Sequence, residues 1–310
     1  METSPRLFGL DTVMIDLVLK IADLPLRGSD SLATDRLVTA GGGFNVMSAA
    51  ARQGMAVTYA GQLGNGPFAD IALEALRHEA IDVAVPARDD QDLGLCVVLV
   101  EDDGERTFVT SPGAEGTLSA SELLSLGIAD GDFVFLSGYN FVYPAMGAQT
   151  MTWLRQLSAT VVVAFDPGPR VLDIPDEILH EVMARTDWFL CNVGEATSLS
   201  GEAVASASAK KLLALTGSRG VVVRSGALGC VVAQADGGAF EVPAIATEVV
   251  DTNGAGDVHN GVLLAELARG TGVIEALRRA NVGAAIAIST LGPATCPPRD
   301  VISVRLSTSF

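Results

Sequence analysis

A short run near residue 250 combines small and acidic residues in a spacing that suits phosphoryl transfer. It reads Asp251-Thr252-Asn253-Gly254-Ala255-Gly256-Asp257 and leads into a helical pattern. Three small residues in succession let backbone N–H groups approach an anion, and the start of a helix adds positive potential. Asp257 in the same turn is suited to accept a proton from an attacking hydroxyl group. A plainer interpretation is that Asp257 only caps the helix.

The elements that must position this run alternate along the chain. Apolar runs predict buried strands at residues 58–61, 133–136, 161–165, 188–191 and 221–223, and a strand-like run at 247–250. Helical patterns cover residues 67–80, 256–269 and 273–290. The hydrophobic fraction is 49% and the aromatic fraction only 5%, which is typical of a sheet covered on both faces. The alternation predicts a mostly parallel sheet with right-handed crossovers.

Two segments, 16–39 and 93–110, break the alternation. The second reads as a β-hairpin with its turn at 102–104, and we expect both segments to form a separate small sheet that covers a site.

Composition excludes several classes of function. A net charge of −17 argues against nucleic-acid binding, and with only three lysines the expected anion binders are arginines and backbone N–H groups. The four cysteines are far apart, which argues against a disulfide framework or a structural zinc site. There is no secretory pattern and no apolar run of about 18 residues, so we expect a soluble, cytoplasmic protein without a membrane partner.

Six segments occur in a fixed order. They are Asp16-Leu17-Val18 with Leu24-Pro25 and Gly28, Gly41-Gly42-Gly43-Phe44-Asn45, Asp166-Pro167-Gly168-Pro169-Arg170, Asn192-Val193-Gly194-Glu195, Arg224 with Gly226 and Gly229, and 251–257. In this order they resemble the motifs of the ribokinase-like (PfkB) carbohydrate kinases, although Gly168 replaces the usual Asn and Arg224 the usual Thr. The resemblance implies a single α/β domain over residues 1–310. Its fold would be a ribokinase-like three-layer sandwich with a mostly parallel central sheet and a small β-sheet lid.

The resemblance also implies roles for individual residues. Asp257 would be the general base, with an anion hole formed by Gly254, Ala255 and Gly256. Substrate hydroxyl groups would be held by Asp16, Gly41, Gly42 and Asn45. Arg170 is interpreted as a phosphate contact because it directly follows Asp-Pro-Gly-Pro in an acidic chain. Each of these polar residues also has a plainer interpretation as a surface or capping residue.

The remaining implied roles concern ATP and metal ions. Asn192 and Glu195 would organise Mg²⁺ through its waters. Nucleotide contacts are expected from Asn192, Arg224, Gly226, Gly229 and, near the adenine, Asn281. Asp251 with the carbonyls of Asn253 and Gly292 resembles a potassium-type activator site, although Pro293 and Cys296 depart from the common pattern.

The expected activity is ATP-dependent phosphorylation of a hydroxymethyl group on a small sugar. A nucleoside kinase of the same fold is the nearest alternative, and a non-catalytic sugar or nucleotide sensor is the alternative from another class. A P-loop kinase is excluded because the chain contains no Gly-Lys pair, and 41–43 lacks the Gly-x-Gly-x-x-Gly spacing of a Rossmann dehydrogenase. We further expect a homodimer that packs lid against lid, with Leu95, Val97, Leu99 and Phe108 as apolar contacts.

Overall fold

The computed structural model describes residues 4–102, 105–235 and 238–309. Within these residues the larger sheet has nine strands. In chain order they are β1 (Leu7–Gly9), β4 (Val57–Tyr59), β5 (Asp82–Val83), β8 (Phe133–Ser137), β9 (Val162–Asp166), β10 (Trp188–Asn192), β11 (Gly220–Arg224), β12 (Cys230–Gln234) and β13 (Gly238–Val242). Their order across the sheet is β13-β12-β11-β10-β9-β8-β1-β4-β5.

Across the sheet, the seven strands β11, β10, β9, β8, β1, β4 and β5 run parallel to one another. At the other edge, β12 and β13 are antiparallel to their neighbours. The short turn 225–229 joins β11 to β12, and so short a connection can only pair antiparallel strands. The parallel strands require longer crossovers, which helices provide.

Helices cover both faces of the sheet. They are α1 (Gly43–Arg52), α2 (Pro67–His78), α3 (Ala120–Leu124), α4 (Tyr139–Val142), α5 (Pro144–Leu154), α6 (Asp176–Arg185), α7 (Val193–Ser200), α8 (Ala205–Thr216), α9 (Ala255–Ala268), α10 (Val273–Ala287) and α11 (Arg299–Ser309). In β8, Phe133 and Phe135 pack with α1, α2, α9 and α10, whereas Val134 and Leu136 pack with α3 to α8. Because successive side chains of a strand point to opposite faces, the result is the expected three-layer sandwich.

A second sheet of four strands forms the lid. Its strands are β2 (Val13–Lys20), β3 (Asp35–Gly42), β6 (Leu95–Val100) and β7 (Arg106–Ser111), in the order β3-β2-β6-β7. The prediction of a separate small sheet is therefore confirmed. The predicted turn at 102–104 lies partly outside the described residues, which omit 103 and 104.

One local prediction was wrong. Residues 247–250 form no strand: Val249 and Val250 are exposed, and the Val250 N–H donates to the Ile288 carbonyl at the end of α10 (2.8 Å), so no neighbouring strand pairs with this run. The aromatic segment 139–143 after β8 contains the short helix α4. Sequence reasoning also missed β1, which is only three residues long and buried between β4 and β8.

The predicted dimer contacts do not share one face of the lid. Phe108 pairs with Val98, so its side chain lies on the side opposite Val97 and Leu99. Leu95 packs against the core of its own chain. Every helix among the described residues is too short or too polar to cross a lipid bilayer.

Candidate active site

Polar residues follow or end five parallel strands at one edge of the central sheet. They are Asp11 after β1, Ser137 in β8, Asp166 in β9, Asn192 in β10 and Arg224 in β11. Ligands of open α/β sheets bind outside the carboxyl ends of the strands, where such side chains meet. The sheet therefore places the candidate site at this edge.

Asp257 lies in the first turn of α9 and accepts a hydrogen bond from Asn45 Nδ2 (3.0 Å). Asn45 belongs to the first turn of α1. The helices α1 and α9 pack closely at Gly261, where any side chain would collide with the backbone of α1. Burial raises the pKa of Asp257 to about 7, and the neighbouring Asp166 and Asp11 act in the same direction. Such a carboxylate is a competent proton acceptor near neutral pH.

The predicted anion hole is a tight turn before α9. Gly254 adopts φ 72°, a left-handed conformation that favours glycine, and a side chain there would collide with the Pro293 carbonyl. Ala255 and Gly256 open the helix and line a cavity. The Ala255 N–H donates to the Thr252 carbonyl (3.3 Å), so the turn presents the remaining N–H groups of the first turn of α9, and its positive end, to that cavity.

The Arg224 guanidinium lies directly beneath this turn. A Cβ atom on Gly256 would be 3.4 Å from Arg224 Nε. Arg224 Nη2 donates to Asp166 Oδ2 (2.9 Å) and Nη1 to Asn260 Oδ1 (2.7 Å), while Asn260 Nδ2 donates to Asp166 Oδ2 (2.8 Å). Every member of this network has a partner, so the guanidinium is held in place beside the turn.

Asn192 and Glu195 form a capping box at the start of α7. The Glu195 N–H donates to Asn192 Oδ1 (2.9 Å), and the Asn192 N–H donates to Glu195 Oε2 (2.8 Å). Burial and the nearby Asp166 raise the pKa of Glu195. The two residues thus have a structural role in addition to any role in metal binding. The described residues contain no cluster of three His, Cys, Asp or Glu residues that could hold a metal ion.

The residues predicted to contact the nucleotide line one cavity of about 770 Å³. They are Asn192, Arg224, Gly226, Gly229 and Asn281. Its lining combines apolar side chains, among them Ile245, Ala284 and Ile288, with the polar Asn192, Arg224 and Thr252. The volume and this combination of apolar and polar groups suit a nucleotide.

A comparison with protein families finds a match over nearly the whole chain. The model of the pfkB family carbohydrate kinases matches residues 5–300. The chain belongs to the pfkB family of carbohydrate kinases. It is 31% identical to an uncharacterized sugar kinase of Escherichia coli, over 97% of this chain and 94% of the relative. It is 28% identical to ribokinase of Mus musculus, over 96% of this chain and 93% of the relative.

Solved structures share the fold of this kinase. Ribokinase from Thermotoga maritima superposes with a TM-score of 0.84 at 24% identity, covering 98% of this chain and 99% of that one. A nucleoside kinase from Burkholderia thailandensis in complex with inosine gives a TM-score of 0.77 at 20% identity, with 98% of both chains covered. The recognised fold therefore spans nearly the whole chain.

The residues predicted to hold the acceptor lie where the lid meets α1. Asp16 is in β2 of the lid, and a side chain on Gly41 would collide with its carboxylate. Gly42 precedes α1 with φ 62°, and Asn45 follows in the first turn with its Oδ1 buried and unpaired. Burial raises the pKa of Asp16 to about 6. An unpaired carbonyl oxygen beside two carboxyl groups suits a polyhydroxylated acceptor.

Sequence reasoning missed Asp11, Ser137 and Asp166 as site residues of the kinase. Ser137 Oγ donates to Asp11 Oδ1, and Asp166 influences the pKa of both Asp11 and Asp257. A usable signal was present, because each polar residue ends or directly follows an apolar strand run. In the segment 166–170 it is Asp166, at the carboxyl end of β9, that enters the site.

Arg170, predicted as a phosphate contact, lies apart from the nucleotide cavity. Its side chain is 58% exposed and pairs with Asp173 (2.7 Å). It does influence the pKa of Tyr139 and Tyr143, so it lies near the aromatic segment after β8. The structure shows no contact from Arg170 to the anion-hole turn.

Asp251, Asn253 and Gly292, predicted as a potassium-type site, lie together. The contacts are made by the N–H groups of Asn253 and Gly292, not by their carbonyl oxygens. The Asn253 N–H donates to Asp251 Oδ1 (2.9 Å), and the Gly292 N–H donates to Asp251 Oδ2 (3.0 Å). The same carboxylate also accepts from Arg106 of the lid.

Proposed function

We propose that this kinase transfers the terminal phosphoryl group of ATP to a hydroxymethyl group of a small sugar. The observation that supports this most directly is the pairing of Asp257 with Asn45, at the start of α9 and beside the anion-hole turn. Asp257 directly follows Ala255 and Gly256, which line the cavity of about 770 Å³ that suits a nucleotide, and its partner Asn45 belongs to the proposed acceptor region.

In the proposed mechanism the Asp257 carboxylate accepts the proton of the attacking hydroxyl group. Asn45 orients that carboxylate through its amide N–H. The N–H groups of the turn and the Arg224 guanidinium stabilise the charge that develops on the transferred group. The lid excludes water, which would otherwise take the phosphoryl group.

Mg²⁺ is the second proposed cofactor. Asp166 raises the pKa of Glu195, which indicates that two carboxylates lie close together with Arg224 as a nearby counter-charge. A divalent ion held through water by Glu195 and Asn192 would relieve this excess of negative charge. When bound, it would neutralise charge on the β- and γ-phosphates.

The candidate functions differ in the molecule that would receive the phosphoryl group. A sugar is favoured because the family and its curated relatives are sugar kinases, among them 2-dehydro-3-deoxygluconokinases of Bacillus subtilis and Escherichia coli. A nucleoside acceptor is the second candidate, since the partly buried Tyr139, near Asp11 and Cys96, could stack on a base. A non-catalytic sensor is disfavoured, because both Asp257 and the glycines of the turn are present.

An ATP-consumption screen over pentoses, hexoses, sugar acids and nucleosides tests the proposal. With the most active acceptor from the screen, Asp257→Asn is expected to lower kcat by about 10²–10⁴ while ligand affinity is kept. Asp70→Asn is the matched control, because Asp70 lies exposed in the first turn of α2. If Asp257→Asn keeps more than about half of wild-type kcat, the general-base assignment fails. Ligand binding without turnover on any acceptor would favour the sensor.

A cytoplasmic location is also proposed. All four cysteines are buried with free thiols, as is usual in a reducing compartment.

A further inference from the structure

Arg106 connects the lid to the segment that carries the anion hole. It is the first residue of β7, opposite Val100, on the lid face that also carries Asp16. Its Nη2 donates to the Asp251 carboxylate, and its Nη1 to Thr252 Oγ1 (3.4 Å). Both side chains of the pair are largely buried, with 22% of Arg106 and 12% of Asp251 exposed.

The Asp251 carboxylate is already supplied with donors. Oδ1 accepts from Arg106 and the Asn253 N–H, and Oδ2 accepts from the Gly292 N–H. The Gly292 carbonyl accepts from Thr295 Oγ1 (3.3 Å). The oxygens that the family resemblance assigns to a potassium-type ion are therefore largely engaged.

The electrostatics around this group also disfavour a further cation. A small cavity of about 140 Å³ lies beside it and is lined by three basic residues, Lys20, Arg36 and Arg106, and by two acidic ones, Asp35 and Asp251. A guanidinium stays charged at every physiological pH, and as a fork of donors it matches a carboxylate well. A monovalent ion would have to displace it.

We propose that Arg106 supplies the positive charge expected of a monovalent activator, so that this kinase works without K⁺. The inference rests on the proposed kinase function. Arg106 acts as a positioning residue: through Asp251 it holds Asn253, which directly precedes Gly254 of the anion-hole turn. Because Arg106 belongs to the lid sheet, the contact also ties β7 to the segment before α9.

The kinetic test compares K⁺ with choline at a fixed ionic strength of about 0.15 M, where screening stays constant. The wild-type enzyme is expected to be equally active in both salts. Arg106→Ala should lose about tenfold or more in kcat in choline, because the turn is less well aligned, and K⁺ or guanidinium should restore part of it. Arg27→Ala is the matched control, an exposed arginine between the lid strands β2 and β3 that does not line this cavity.

Ion binding separates this inference from the proposed function, because it needs no turnover. The melting temperature of Arg106→Ala should rise with K⁺ relative to choline, whereas that of the wild type should not. A K⁺ requirement or a K⁺-dependent melting temperature in the wild type would overturn the inference. So would an Arg106→Ala variant that is fully active in choline, or one that is inactive and gains neither activity nor stability from K⁺.

Discussion

Asp257 is surrounded by groups that act on its pKa in opposite directions. Burial raises the pKa most, the hydrogen bond from Asn45 lowers it, and the charges of Asp166 and Asp11 raise it further. The Arg224 guanidinium lowers it again. The result, about 7, lies where a general base combines a sufficient deprotonated fraction with good proton affinity.

The pH dependence of the reaction follows from this value. Only the deprotonated carboxylate accepts a proton, so kcat/KM should fall with decreasing pH below about 7, by about tenfold per pH unit, and level off above it. A pH–rate profile of the wild type measures this, and Asp70→Asn should leave it unchanged. An activity that stays constant from about pH 5.5 to 8.5 would contradict the assignment.

At the scale of elements, helix starts position most of the site. Asn45 lies in the first turn of α1, Glu195 in that of α7 and Asp257 in that of α9. The helix α7 follows β10 directly, whereas α1 follows the lid strand β3 and α9 follows the turn 251–254. Among the described residues the starts of α1 and α9 have no side-chain cap, so their N–H groups favour anions and provide local positive potential in a chain of net charge −17.

The capping box of α7 affects how Glu195 must be tested. Glu195→Ala would remove the proposed metal contact and the cap together, whereas Glu195→Gln keeps an acceptor for the Asn192 N–H. We expect Glu195→Gln to raise the Mg²⁺ concentration for half-maximal activity by roughly tenfold with little change in melting temperature. Activity against Mg²⁺ concentration measures this. An unchanged Mg²⁺ profile would leave Glu195 with only its capping role.

At the scale of the whole molecule, the lid leaves an apolar surface facing away from the active site. We call it the outer lid face, and it comprises Leu17, Leu19, Val38, Val97, Leu99 and Val109. Val109 is 61% exposed and Val38 is 45% exposed. A contiguous apolar face of a small sheet is a candidate protein interface.

We therefore expect a homodimer that packs lid against lid. Sedimentation at micromolar concentration should give twice the chain mass of 32.0 kDa. Val109→Glu on the outer lid face should shift the protein to the monomer, because it would bury a charge in the interface. Leu215→Glu, at an exposed apolar position in α8, is the control. A wild-type monomer would refute the dimer and leave the kinase proposal unaffected, since Asp257 and its surroundings belong to one chain.

The sequence by itself determined the strands in the middle of the central sheet and the candidate chemistry of one segment. Strands β8 to β11 were predicted within one or two residues, because runs of buried apolar residues bounded by turns and helices have few alternative structures. The run 251–257 indicated the proposed base and anion hole, since its residue types and spacing are local properties of the chain.

Only the tertiary structure decided which distant residues meet. Asn45 and Asp257 are 212 residues apart, Arg106 and Asp251 are 145 apart, and Arg224 and Asp166 are 58 apart. Such contacts depend on strand order and on how closely helices pack, which local propensity does not encode. For the same reason three features became visible only once the sheets were assembled: the contact of Asp11 with Ser137, the exposure of Arg170 and the face on which Phe108 lies.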